Sequence, residues 1–172
     1  AIATDPLDLL ETTPRPGMAL SLSGGGYRAM LFHLGSLWRL YEGRLLQGVQ
    51  RVSSVSGGSI TAAVLGLNWR RLSFDPARLR DDFVAEIVAP VRSLADETID
   101  KDAIVLGIAL PGRVSDRIAR AYDSHLFHGA TLQDLPDAPR FVINATNVQS
   151  GALWRFMKPY MRDYRVGEVK LP

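Results

Sequence analysis

The chain has 172 residues, enough for one domain with a sizeable core and too few for two ordinary ones. A composition of 47% hydrophobic and 22% charged residues is expected of a soluble globular protein, and a formal charge of +2 carried by scattered arginines excludes the focused basic patch that nucleic acid requires. No cysteine is present for disulfide or thiolate chemistry, and no stretch approaches the roughly 20 apolar residues of a membrane span.

The opening segment AIATDPLDLL has no basic region leading into an apolar run, so no signal peptide is read in it; the expected location is cytoplasmic or peripheral to a membrane. After Pro14 and Pro16, residues 18–22 form a compact apolar run ending in glycines, the pattern of a short buried strand. Residues 27–41 are long enough for a helix and apolar on nearly every side, which predicts burial. Residues 49–55 read as a second strand and residues 59–67 as a second buried helix. Strand, glycine turn, helix, strand, tight turn and helix in that order predict an α/β fold with a mainly parallel central sheet in a three-layer sandwich.

Further along, Asp75-Pro76 is a helix start, Leu79, Phe83 and Ile87 make one apolar stripe, and Pro90 is expected to end that helix. Residues 103–110 predict a second helix, with a lid or acyl-chain wall as the functional alternative to ordinary core, and residues 113–122 a third, more polar one. Residues 141–145 and 153–156 read as strands flanking a turn at Gln149-Ser150-Gly151. There are no internal repeats, low-complexity segments or linkers.

Two turns carry the chemistry. Ser23-Gly24-Gly25-Gly26-Tyr27-Arg28-Ala29 lies between a strand and a helix, where glycines permit a sharp turn and the free amides of a helix start stabilise phosphate or an oxyanion. Gly24, Gly26 and Ala29 also satisfy the dinucleotide fingerprint G-x-G-x-x-A. That reading requires an acid at the end of the second strand to hold the ribose, and between Glu42 and Asp75 there is none. What ends the second strand is Ser54-Val55-Ser56-Gly57-Gly58-Ser59, close to the nucleophile elbow G-x-S-x-G with Ser54 in place of the first glycine. Ser56 is the best-placed hydroxyl; Ser53, Ser54 and Ser59 are expected to be turn or cap residues. An isolated S-x-S-x-G is most simply a helix cap. Two such turns on adjacent parallel strands would instead set a nucleophile beside oxyanion amides.

With both turns in place, the sequence resembles the patatin-like phospholipases, relatives of cytosolic phospholipase A2. SLSGGGYRAMLFHLGSLWRL resembles their oxyanion segment, RVSSVSGGSITAAVLGLNW their nucleophile segment, and FVINATNVQSGALWRF a later strand pair of bacterial members. The resemblance implies a Ser-Asp dyad hydrolysing a carboxylic ester in a lipid or phospholipid, at a membrane or micelle surface and without cofactor or metal. It places Ser56 as nucleophile, Gly24, Gly25 and Gly26 as oxyanion hole, and Arg28 at a phosphate head group or bracing the loop. Ser23 stands where the plant-type motif has its acid, and Ser54 where the elbow has its first glycine. The family's acid sits in an Asp-Gly motif, and no Asp here precedes Gly. The chain is therefore expected to be the N-terminal portion of one hydrolase domain, completed by a C-terminal segment or a second chain, and to be inactive alone.

Two alternatives stay open. A Ser-His-Asp esterase would use His125 or His128 with Asp116 or Asp123, all of which follow Ser56. A non-catalytic lipid-binding protein would keep the pocket without the acid. His33 is expected to be a core histidine bonded to a backbone carbonyl, and Asn144 and Asn147 to make core hydrogen bonds, with lining of the site as their functional alternative. No His, Asp and Glu cluster has metal-ligand spacing.

Overall fold

The computed structural model describes residues 16–75, 77–96 and 113–170. One six-stranded sheet runs through them in the order β1 (Met18–Leu22), β2 (Val49–Val55), β3 (Arg140–Thr146), β4 (Leu153–Phe156), β5 (Tyr160–Asp163) and β6 (Gly167–Lys170). β1, β2 and β3 are parallel, whereas β3 to β6 pair antiparallel. The connections explain the change. Long helical crossovers join the first three strands and permit parallel pairing; short turns join the last four and permit only antiparallel pairing. The α/β class is as expected, with a parallel half followed by a meander.

Leu22 stands opposite Ser54 and Val55 opposite Asn144. The carboxyl ends of β1, β2 and β3 therefore finish nearly level, the end of a parallel sheet where α/β proteins place their ligands.

The first crossover carries α1 (Gly26–Glu42) and the second begins with α2 (Gly57–Asn68). α2 packs directly on β2 and β3, and α1 packs against α2. Thr61 of α2, fully buried, donates to the Met30 carbonyl of α1 at 3.0 Å. α1 buries Met30, His33, Leu34, Leu37 and Tyr41 but leaves Phe32 69% exposed. It is thus not buried all round: among the described residues its partners lie on one side only.

The next helical run is α3 (Leu79–Phe83), a single π-helical turn (Val84–Val88) and α4 (Ala89–Asp96). Pro90 does not end it. The proline is the second residue of α4, just after the wide π turn, so the N–H it lacks and the bulk of its ring fall where the i→i+4 ladder is already interrupted. Phe83, Ile87, Val91 and Leu94 form the buried stripe, and Tyr41 stacks on Phe83 with centroids 5.0 Å apart. The expected helix at 103–110 lies outside the described residues. α5 (Arg113–Tyr122) runs into a second π turn (Asp123–Phe127), closed by His128 in the left-handed conformation. β3 and β4 flank the expected turn, and β5 and β6 extend the sheet beyond it. None of the described helices is long and apolar enough to cross a membrane.

Candidate active site

β2 ends at Val55, and Ser56 turns the chain into α2 with φ 51° and ψ −125°. A non-glycine residue at positive φ costs about 1–3 kcal/mol and persists only where its surroundings hold it. They do so from both sides. A Cβ at Gly57 would collide with the Gly26 carbonyl oxygen, and one at Gly58 would lie 2.6 Å from the Ser23 oxygen and 2.7 Å from the Leu22 oxygen. The first turn of α2 is therefore seated against the backbone of the glycine turn, which only glycine permits.

On the other side, buried Ser54 accepts from Ser59 Oγ at 3.1 Å and donates to the Val142 carbonyl at 3.4 Å. The hydroxyl that replaces the first elbow glycine ties the strand end to β3 and to α2. Asn144 Nδ2 donates to the Ser54 carbonyl and to Ser53 Oγ, both at 3.0 Å. Ser53 and Ser54 thus stand in β2 and Ser59 in the first turn of α2, bonding across the sheet and to the helix and not as side-chain caps, and Asn144 is the clamp that holds the strand end leading into Ser56.

Gly25 (φ 138°) and Gly26 (φ 60°) make the glycine turn, and a Cβ at Gly24 would sit 3.2 Å from Ser56 Cβ. The two turns are in contact. Neither α1 nor α2 has a side-chain cap at its start, so no side chain competes for the amides beside Ser56. His33, buried within α1, places Nε2 3.0 Å from the Ser23 carbonyl oxygen and 3.2 Å from Ser23 Oγ. It is the core histidine expected, and it braces the glycine turn. Arg28 is exposed in the first turn of α1 and makes no hydrogen bond or ion pair among the described residues.

Ser56 opens onto a cavity of about 500 Å³ lined mainly by apolar groups, among them Ile60, Leu67, Phe127, Leu132 and Ile143. A smaller recess of about 180 Å³ runs from Ser56 past Gly26 and Gly57 to Tyr122. One cavity wall is held by a capping box: Asp134 Oδ2 accepts from the Thr131 N–H at 2.7 Å, and Thr131 Oγ1 accepts from the Gln133 N–H at 3.2 Å. Those bonds from Thr131 hold the Asp134 carboxyl below the usual carboxylate range.

Among the described residues that line the two cavities there is no Asp, Glu or His. The Ser56 hydroxyl has no hydrogen-bond partner among the described residues, so nothing joins it to His125 or His128. Asp123, one candidate orienter for those histidines, instead accepts from the Gly129 N–H at 2.6 Å and closes its own turn. Among the described residues no group of three or more His, Asp or Glu side chains comes together to hold a metal.

The sequence profile of the family described as patatin-like phospholipase matches residues 20–147, a span that contains both turns. The chain belongs to the patatin-like phospholipase family. Two solved structures of human GIVD cytosolic phospholipase A2 are similar in fold. One is the complex with methyl gamma-linolenyl fluorophosphonate, with a TM-score of 0.54 at 20% identity over 88% of this chain and 24% of that one. The other holds the same inhibitor and terbium chloride, with a TM-score of 0.55 at 20% identity over 88% of this chain and 25% of that one. This patatin-like chain thus spans about a quarter of their length. No curated protein sequence matches it.

Proposed function

We propose that this patatin-like chain carries the nucleophile and the oxyanion hole of a serine lipid acyl hydrolase. The observation that carries the reading is the strained Ser56 backbone, φ 51° and ψ −125°, packed against the glycine turn at the mouth of an apolar cavity. Strain of this kind at an exposed hydroxyl beside unclaimed amides is what an activated nucleophile requires, and the cavity is shaped for an apolar chain.

Ser56 Oγ attacks the ester carbonyl carbon, and its proton passes to an aspartate that is not among the described residues lining the cavities. The oxyanion is held by amides of Gly24, Gly25 and Gly26. Collapse expels the alcohol, which takes the proton, and water then releases the acyl group by the same route. Arg28, exposed and without a partner among the described residues, meets the phosphate of a phospholipid head group. The substrate is presented at a membrane or micelle surface. The aspartate comes from a C-terminal segment or a second chain, and residues 1–172 alone turn over esters about 10²–10⁴-fold more slowly, the usual contribution of a positioned base.

The test is labelling by a long-chain fluorophosphonate in a preparation that contains the acid. The adduct is expected on Ser56, and Ser56→Ala is expected to abolish labelling and turnover with the fold intact. An adduct on Ser53 or Ser59, or on no serine, refutes the assignment.

A further inference from the structure

Beyond the cavity, the exposed apolar side chains are unevenly placed. Asn144 of β3 stands opposite Val55, and one step further on Ala145, Trp154, Asp163 and Gly167 form a row across β3, β4, β5 and β6. The turns at 147–151 and 164–166 rise just above that row, at the Ser56 end of the sheet. At a strand spacing of about 4.8 Å, the farther turn lies on the order of 15 Å from Ser56. Their tips are bare: Val148 is 91% exposed, Tyr164 64% and Val166 61%.

These tips are braced by Asp163, whose residue is fully buried. Its carboxylate accepts from Asn147 Nδ2 at 2.9 Å, Ser150 Oγ at 3.5 Å and the Arg165 N–H at 2.7 Å, so one group fastens both turns. Held in this way, the two turns keep Val148, Tyr164 and Val166 in the open, three of the four most exposed large hydrophobic residues among those described.

We propose that these two turns are an interfacial patch that seats the Ser56 end of the sheet on an anionic lipid surface. The charge of the two turns suits this occupant. The 147–151 turn has no charged residue and the 164–166 turn has one, Arg165. The acid between them, Asp163, is consumed internally, and Glu168 stands opposite Arg162 on the neighbouring strand. The Arg165 guanidinium lies 5.7 Å from the Tyr164 ring centroid, and its Nε donates to the Tyr164 hydroxyl at 3.0 Å. An aromatic ring with an arginine along it, between bare valines, suits the boundary between head groups and acyl chains. The patch faces the same way as the Ser56 end, so docking would bring the cavity to the lipid. Its functional meaning rests on the hydrolase reading, although its observations do not.

The experiment is vesicle co-sedimentation, in a preparation that contains the acid, with phosphatidylcholine vesicles with and without phosphatidylglycerol, beside hydrolysis of a soluble short-chain ester by the same preparation. The doubly substituted variant Val148→Asp, Val166→Asp is expected to lose at least about tenfold in vesicle partitioning while soluble-ester turnover is unchanged. Arg165→Gln is expected to lose about fivefold on anionic vesicles only. Leu45→Asp is the control for an added charge, because Leu45 is 50% exposed but lies at the opposite end of the sheet; it is expected to change neither readout. Wild-type partitioning by the double variant, or an equal loss in Leu45→Asp, overturns the proposal. So does sedimentation velocity in which the double variant dissociates a wild-type oligomer while vesicle binding persists, since the patch would then be a protein contact. Failure of the hydrolase reading looks different: no variant hydrolyses ester, yet the double variant still loses vesicle binding.

Discussion

Replacing Gly58 with Ala tests whether contact between the two turns holds the site. The added Cβ would lie 2.6 Å from the Ser23 oxygen and 2.7 Å from the Leu22 oxygen, where an ordinary contact is 3.4 Å or more. Both obstacles are backbone, so relief requires α2 to move about 0.8 Å away from the glycine turn. Overpacking of this kind costs about 1–3 kcal/mol. At roughly 2–4 °C per kcal/mol for a chain of this size, Tm is expected to fall by about 2–12 °C. The same displacement separates Ser56 from the amides of the glycine turn, and a misplacement near 1 Å costs on the order of 10²-fold in rate. Gly35→Ala is the matched comparison: a Cβ there meets nothing within 4 Å in mid-α1, and helix propensity predicts about 0.5–1 kcal/mol of added stability. Thermal unfolding and the rate of fluorophosphonate acylation measure both effects. A Gly58→Ala variant with unchanged Tm and unchanged acylation would refute the reasoning.

Ser56→Gly is expected to end labelling while raising stability by about 1 kcal/mol, because relief of positive-φ strain outweighs glycine's entropy; denaturant unfolding reads the gain, and a loss of stability counts against the strain. Arg28→Lys is expected to lower kcat/KM on a phospholipid by about tenfold and to change turnover of an uncharged aryl ester little, since a guanidinium grips phosphate through two bonds and an ammonium does not. Equal losses on both substrates would make Arg28 a brace for the glycine turn. For Asp163, the Arg165 N–H and the Asn147 amide hold the carboxyl below the usual range against the opposing effect of desolvation. A carboxyl depressed in the folded state stabilises it fully above the unfolded value of about 4, and that stability is lost as pH falls through the lower folded value. Unfolding measured against pH is therefore expected to show an acid-side loss that Asp163→Asn flattens, and an unaltered slope in the variant would exclude Asp163 as its source.

The parts of this protein legible in its sequence are those governed by local rules. Glycine runs after apolar strands mark places where the backbone must turn and approach another backbone, so both turns, the strands leading into them and α1, α2 and α5 could be read directly from residue pattern. The patatin-like family was legible for the same reason, because its two most specific motifs are local ones. Helix continuity through Pro90 was not, since the π turn at Val84–Val88 that accommodates the proline has no sequence mark. Nor was the exposed face of α1, where Phe32 looks like a core residue until its neighbours are known. Only the tertiary structure decided that Asn144 clamps the Ser54 carbonyl from 90 residues away and that Asp163 fastens two turns at once. Such bonds depend on strand register, and register is a property of how distant segments pair.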